Sequence, residues 1–384
     1  MGHLAITLKR TSLFATLLVP WLSFASAPPP AVDWSDATVV IAGVLEWRDP
    51  EYVDFDKRHR QDKVLAQRFA SLGVPAERLA LLLDRDAKRR AVLETVARLA
   101  DATPVGGTFV FYFEGHGVRL DDGRIVFATS DVRSEREADT GLVLDDLRAI
   151  LADRLRGRRV ILLADCCHSG GLVDVAVALR RLGFEAVALT SSEASNESTG
   201  DWTYTLALND ALAGRAGFDH DRDGHVSLGE LHSEVRQAML YRESQRSGFD
   251  AGASPLSLRL APATAEPPAR APKGFRVGEY ANYDDEVVRV LGEQEREAIV
   301  ETLDYATRTI ERVDVTELAP ITFDTFPVGA TLSVEWDGKC WEARVTAVDG
   351  AFHKITYPGW DAFWDEWVAD DRIISGEESC PEPE

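Results

Sequence analysis

The sequence is short of three things. Its 384 residues hold four cysteines, two of them adjacent, which is too few for a fold built on disulfides. Its 42 lysines and arginines face 64 aspartates and glutamates, a formal net charge of -22. That balance argues against duplex nucleic acid as a partner, which needs a basic face to neutralise phosphates. Beyond the first 27 residues no stretch approaches the ~18 apolar residues of a membrane-spanning helix. What is present, 45% hydrophobic and 28% charged residues, is ample for a packed core and excludes disorder as the main state. The length implies two or three domains, and the charge favours basic peptides or cations as partners. No organic cofactor is expected.

Residues 1–27 read as an export signal. Lys9 and Arg10 precede an apolar run from Leu13 to Phe24, and Ala25-Ser26-Ala27 forms a small-residue cleavage pattern. Pro28 directly after it leaves two outcomes open, cleavage further on or retention as an N-terminal membrane anchor. The expected location is therefore exported: periplasmic, extracellular or anchored.

From Ala37 to about Leu260, short continuous apolar runs alternate with amphipathic segments. Val39–Val44, Leu79–Leu83, Thr108–Phe113, Arg159–Ala164 and Glu185–Leu189 read as strands buried on both faces. Lys57–Leu72, Ala87–Leu99, Val143–Leu155 and Val173–Leu182 carry apolar positions at helical spacing. This alternation predicts an α/β fold, a mostly parallel sheet with helices on both faces and its functional groups beyond the carboxyl ends of the strands.

Two of those strand ends carry chemistry. RVILLADCCHSGG (159–171) runs a buried strand into Cys166-Cys167, and TFVFYFEGHG (108–117) runs another into Gly115-His116-Gly117. A thiol beside an imidazole becomes a strong nucleophile on partial deprotonation. Backbone N–H groups around Gly115 and Cys167 would stabilise an oxyanion. Alternation along the strand turns Cys166 away from Cys167.

YFEGHG paired with DCCHSGG resembles the caspase and metacaspase family of cysteine peptidases, whose order of elements residues 37–260 follow. The resemblance implies a caspase-like sheet, His116 as catalytic base and Cys167 as nucleophile; the position of His168 is not catalytic in that family. Metacaspases cleave after Arg or Lys through an acidic pocket, which implies Asp62 and Asp165 as substrate-binding residues, since paired carboxylates suit a guanidinium fork. Glu114 departs from the family's Ser or Ala and either adds a third acid to the pocket or obstructs it. The rival reading is a catalytically inert caspase-fold scaffold that binds peptides.

The same resemblance implies that Asp131, Asp145, Asp146 and Asp174 bind an activating Ca²⁺. Separately, Asp219–Glu230 (DHDRDGHVSLGE) matches a 12-residue EF-hand loop, with Asp219, Asp221, Asp223, His225, Ser227 and Glu230 at ligand positions, Gly224 at the turn and Val226 at the apolar eighth place. Thr203–Leu212 and Leu228–Met239 flank it as helices. It reads as a structural calcium clip.

Residues 261–273 (APATAEPPARAPK) form a Pro/Ala-rich linker. Beyond it the pattern changes to alternating strands of one or two small SH3-like β-barrels, over 274–320 and 321–376. Val277-Gly278 recurs as Val328-Gly329, and Leu303-Asp304-Tyr305 echoes Ile355-Thr356-Tyr357. The second copy resembles a chromo-barrel or Tudor-knot module. By that resemblance Trp341, Tyr357, Trp360 and Trp364 fall on the positions of a cation-binding aromatic cage, with Trp336 and Trp367 in the core and a peptide as the module's partner; the alternative is that all these aromatics pack a small barrel with few other large residues. Cys340 and Cys380 are placed to pair in an oxidising compartment.

Overall fold

A computed structural model describes residues 29–58, 60–215, 217–264, 270–304 and 307–374. The export segment 1–27, Cys380, Tyr305 and the middle of the linker lie outside the described residues.

Six strands make the central sheet: β1 (Thr38–Gly43), β2 (Leu79–Leu83), β3 (Thr108–Glu114), β4 (Arg159–Asp165), β5 (Glu185–Thr190) and β6 (Gly248–Asp250). Their order is β6-β5-β4-β3-β1-β2, parallel throughout except for β6 at the edge. The apolar runs form strands because helices cover both faces. Every residue of β1 and β3 is buried. On one face Val40, Phe109, Phe111, Phe113, Leu162 and Ala188 pack against α2 (Arg89–Ala102), α3 (Leu144–Arg154) and α4 (Gly171–Arg181). On the other, Ile41, Val110, Tyr112, Leu163 and Leu189 pack against α1 (Asp62–Leu72), α5 (Thr203–Leu212) and α6 (Leu228–Glu243). Each fully buried Phe contributes about 1.5–3 kcal/mol of transfer free energy.

Two helices depart from their periodicity. The first begins at Asp62 and not at Lys57, and Arg60 just before it bonds the Asp62 carboxylate. The fifth is buried along all ten of its residues and so shows little amphipathic contrast. A capping box between Ser227 and Glu230 starts α6, as the sequence pattern at the end of the acidic loop requires.

Residues 280–320 and 331–374 each form a five-stranded antiparallel sheet around a small aliphatic core. The internal echo is a shared backbone device. Gly278 donates to Val290 O, and Val290 N–H returns to Glu279 O; Gly329 donates to Val345 O, and Val345 N–H returns to Ala330 O. Both glycines have positive φ, 87° and 91°, and the register shifts just after both valines. Only glycine adopts that backbone without strain.

Candidate active site

Strands β3 and β4 pair with Glu114 opposite Asp165. His116 and Cys167 each follow two residues later, so their main chains leave adjacent strands at the same level. The approach is close: a methyl group at Gly117 would overlap the Cys167 carbonyl oxygen. Cys166 turns into the core, 3% exposed, whereas Cys167 is half-buried.

The ring and the sulfur are each held by loops. His116 Nε2 donates to Val53 O at 2.8 Å, and Trp47 and Phe55 flank the ring with centroids 4.5 and 4.6 Å away. With Nε2 carrying the hydrogen, the neutral tautomer leaves Nδ1 as the basic nitrogen. Burial lowers the His116 pKa, opposed by the Val53 carbonyl and Asp54. Cys167 Sγ accepts from Ser198 N–H at 3.2 Å and donates to Ser198 O at 3.6 Å. Burial raises its pKa, partly offset by the Ser198 bond. This resting arrangement is thus neutral on both sides, thiol and imidazole. His168, with a positive φ of 56°, bonds to Ala194 O through Nδ1 and donates its N–H to Asn196 O.

Of the two N–H groups expected at an oxyanion, that of Gly115 is taken up by Asp165 O in the strand ladder.

Asp62, Glu114 and Asp165 lie at the ends of α1, β3 and β4, all almost wholly buried. None is a free anionic host. Asp62 receives Nε and Nη2 of Arg60 at 3.0 and 2.7 Å, and the same guanidinium reaches Asp84 at 2.7 Å and Gly43 O at 3.3 Å. Asp165 accepts the N–H and hydroxyl of Thr205, and burial lifts its pKa to about 6. Glu114 accepts from Tyr112 OH at 2.7 Å, while its second oxygen has no partner. Burial first, then the charge of Asp62, pushes its pKa well up, so it is a neutral acid. Arg60 was not foreseen: it falls within the segment Lys57–Leu72 read as helix, where a charged residue passes as part of the solvated face, whereas the helix starts only at Asp62.

Among the described residues one group of acids converges as a cation site would: Asp219, Asp221 and Asp223 place carboxylate oxygens within 4.8 Å of one another. Gly224 makes the turn at φ 83°, and its N–H and that of Asp223 point at the Asp219 carboxylate. Glu230 bonds the N–H groups of His220 and Asp221 with one oxygen and caps α6 at Ser227 with the other. His225 N–H bonds the Asp223 carboxylate. These hard oxygens fit Ca²⁺. Asp131, Asp145, Asp146 and Asp174 do not form such a group. Asp131 accepts from the Arg89 main-chain N–H, Asp146 pairs with the Arg89 side chain and Asp145 with Arg148, while Asp174 is half-buried on α4.

In the last sheet, Trp341, Trp360 and Trp364 form successive near-perpendicular pairs, 89° and 85°, with centroids 5.4 and 6.3 Å apart, and Tyr357 OH bonds Glu366. The core expectation for Trp336 and Trp367 is corrected. Trp336 is 44% exposed, and Trp367 lies beneath Arg246. The core is formed by Leu332, Val334, Ala343, Val345, Ile355, Val368 and Ile373.

The caspase-domain family profile matches residues 58–252. Metacaspase-4 of Arabidopsis thaliana is 30% identical over 128 residues, covering 30% of this chain and 29% of its own length. Metacaspase-7 of the same plant is 24% identical over 196 residues, covering 47% and 43%. The chain thus spans less than half the length of these curated relatives. Among solved structures, caspase-1 from Spodoptera frugiperda aligns at TM-score 0.40 and 12% identity, over 62% of this chain and 93% of that one. A protein from Geobacter sulfurreducens aligns at TM-score 0.40 and 17% identity, over 59% and 99%.

Proposed function

This chain belongs to the caspase-domain family, and from that membership we propose that it is a cysteine endopeptidase of metacaspase type, with Cys167 as nucleophile and His116 as base. The observation that carries the reading is the close passage of Gly117 against the Cys167 carbonyl, beyond two strands paired in register. His116 takes the thiol proton. The sulfur then attacks the scissile carbonyl carbon, forming a C–S bond. The imidazolium protonates the departing amine as the C–N bond breaks, leaving an acyl-enzyme. Water, deprotonated by the same ring, hydrolyses the thioester and restores the thiol. The Val53 carbonyl fixes the tautomer throughout.

The substrate side chain before the cut is Arg or Lys, received at Asp62 and Asp165. For this, Arg60 and Glu114 must give way, so the described arrangement is a resting one. Asp219, Asp221, Asp223, Ser227, Glu230 and the His225 main chain would hold Ca²⁺, which neutralises the acidic loop and stiffens the start of α6. Asp131, Asp145, Asp146 and Asp174 would form a second, activating site only after rearrangement. The 321–376 module is of chromo-barrel or Tudor-knot type and binds peptide. The protein acts outside the cytoplasm, exported or anchored by its N-terminus.

A second reading, an inert scaffold, is favoured by one observation: the neutral Glu114 in the acidic pocket. Fluorogenic peptides ending in Arg, Lys or Asp, with and without Ca²⁺ and beside Cys167→Ala, separate the two. Turnover of the basic peptides that Cys167→Ala abolishes supports the peptidase; no turnover on any supports the scaffold.

A further inference from the structure

The last sheet does not sit apart from the peptidase domain. Asn196 joins the two: its carbonyl accepts His168 N–H at 2.8 Å, while its side-chain amide donates to Trp367 O at 2.7 Å and accepts Trp367 N–H at 3.3 Å. One residue therefore ties the position after the candidate nucleophile to the aromatic sheet. Arg119 makes a second tie, donating to Phe363 O at 2.6 Å and lying 3.9 Å over the Phe363 ring.

Between these ties runs a cleft of about 580 Å³. One wall is the His168 and Ser195–Thr199 segment, whose Ser198 holds the Cys167 sulfur. The facing wall is Trp336, Trp341, Tyr357, Trp360 and Trp364. Three of these indoles are 44–53% exposed, a grouping of large rings that soluble surfaces rarely leave uncovered. The volume is far more than one ammonium group needs and lies in the range that takes several side chains.

Charge identifies the occupant. The lining has five carboxylates, Asp121, Glu197, Glu243, Glu366 and Asp371, and three guanidiniums. Each guanidinium is already engaged: Arg372 by Glu366, Arg246 by Glu193 and Asp349, Arg119 by Phe363. Glu366 is thereby neutralised by Arg372, and Asp121, Glu197, Glu243 and Asp371 face the one remaining guanidinium, Arg119, whose partner is the Phe363 carbonyl; aromatic faces beside this acidic excess favour a cationic side chain. We propose that this two-domain cleft is an extended subsite of the peptidase, receiving a Lys- or Arg-bearing segment of the substrate polypeptide several residues from the scissile bond. The inference rests on the peptidase reading and deepens it: the aromatic sheet is a wall of the substrate channel, selecting long basic polypeptides over short peptides.

The test compares kcat/KM on two peptides with the same cleavage site, one of four residues and one extended on both sides by Lys-containing sequence, for the wild type, Trp360→Ala and Trp364→Ala. Both indoles are exposed, so the variants fold. The ratio of extended to short kcat/KM is expected to fall about tenfold in each variant, through KM, equivalent to about 1.4 kcal/mol of binding. Binding of the extended peptide to Cys167→Ala, followed by calorimetry, should weaken on adding Trp360→Ala and on exchanging Lys for Glu in the peptide. A ratio within twofold of wild type, with turnover intact, overturns the cleft and leaves the peptidase. Tryptophan-dependent binding without turnover of either peptide supports the cleft as a basic-peptide site and overturns the peptidase. Neither binding nor turnover overturns both.

Discussion

The Arg60 guanidinium meets the Asp62 carboxylate through two N–H groups, at 3.0 and 2.7 Å, with both side chains buried. An acid expected to receive a substrate's basic group already holds one from its own chain. Removing one partner of such a pair leaves an uncompensated buried charge, worth about 3–5 kcal/mol. Arg60→Ala should therefore lower the melting temperature sharply. Low millimolar methylguanidinium should restore part of the loss in the variant and do nothing for the wild type. A variant whose melting curve ignores the added cation would show that the vacated space collapses.

Glu114, opposite Asp165 across the strand pair and within the field of Asp62, is a buried neutral acid with one oxygen unpartnered. Glu114→Ala is expected to raise kcat/KM on Arg-terminated peptides by about tenfold or more, a barrier change of about 1.4 kcal/mol. The same change should leave Asp-terminated peptides uncleaved. Equal rates before and after substitution would place basic-residue recognition elsewhere.

Alkylation reads the two thiols separately. Burial pushes both upward, that of Cys166 well above its ordinary value. Thiolate is the reactive form. Iodoacetamide should modify Cys167 slowly at pH 7 and faster as pH rises past 9, with Cys166 untouched until unfolding. Peptide mass mapping checks this, and fast labelling of Cys167 at pH 7 would mean that it rests as a thiolate.

The acidic loop makes a calcium prediction with its own readout. A ligand at 100 times its Kd adds about 2.7 kcal/mol to stability. Ca²⁺ should raise the melting temperature of the wild type, and Asp219→Asn or Asp221→Asn should remove most of that rise. Loss of the shift in Asp131→Asn instead would point to the other acidic group.

His232 supplies the acid limb of stability. It stacks on Phe249 at 3.8 Å, and burial, then Arg236, bring its pKa down to about 4, with Asp349 opposing. The unfolded chain takes up a proton near pH 6.5 that the folded chain refuses until about pH 4. Stability from the neutral ring is therefore present above pH 6.5 and falls as pH drops toward 4. His232→Gln should flatten the unfolding free energy between those limits in urea titrations at several pH values.

Strands β1 to β5 were legible because residues buried on both faces leave continuous apolar runs. Edge strand β6 was not, since three residues, Gly248–Asp250, give no period to read. The thiol and imidazole stood out because chemistry and glycines coincide at strand ends. The residues that hold them, Val53 through its carbonyl and Ser198 through its main chain, act without side-chain identity, so nothing in their letters marks them. The aromatic sheet was misjudged at Trp336 and Trp367 for a related reason. The resemblance placed both indoles in the core, and only packing reveals that the core is formed by aliphatic side chains.

Gly117 leaves its mark on the design of controls. Because any side chain there collides with the main chain of Cys167, an alanine at this single position would displace the sulfur while keeping every ionisable group in the protein. Such a variant separates proximity from composition: it is the same set of reagents, held out of reach of each other.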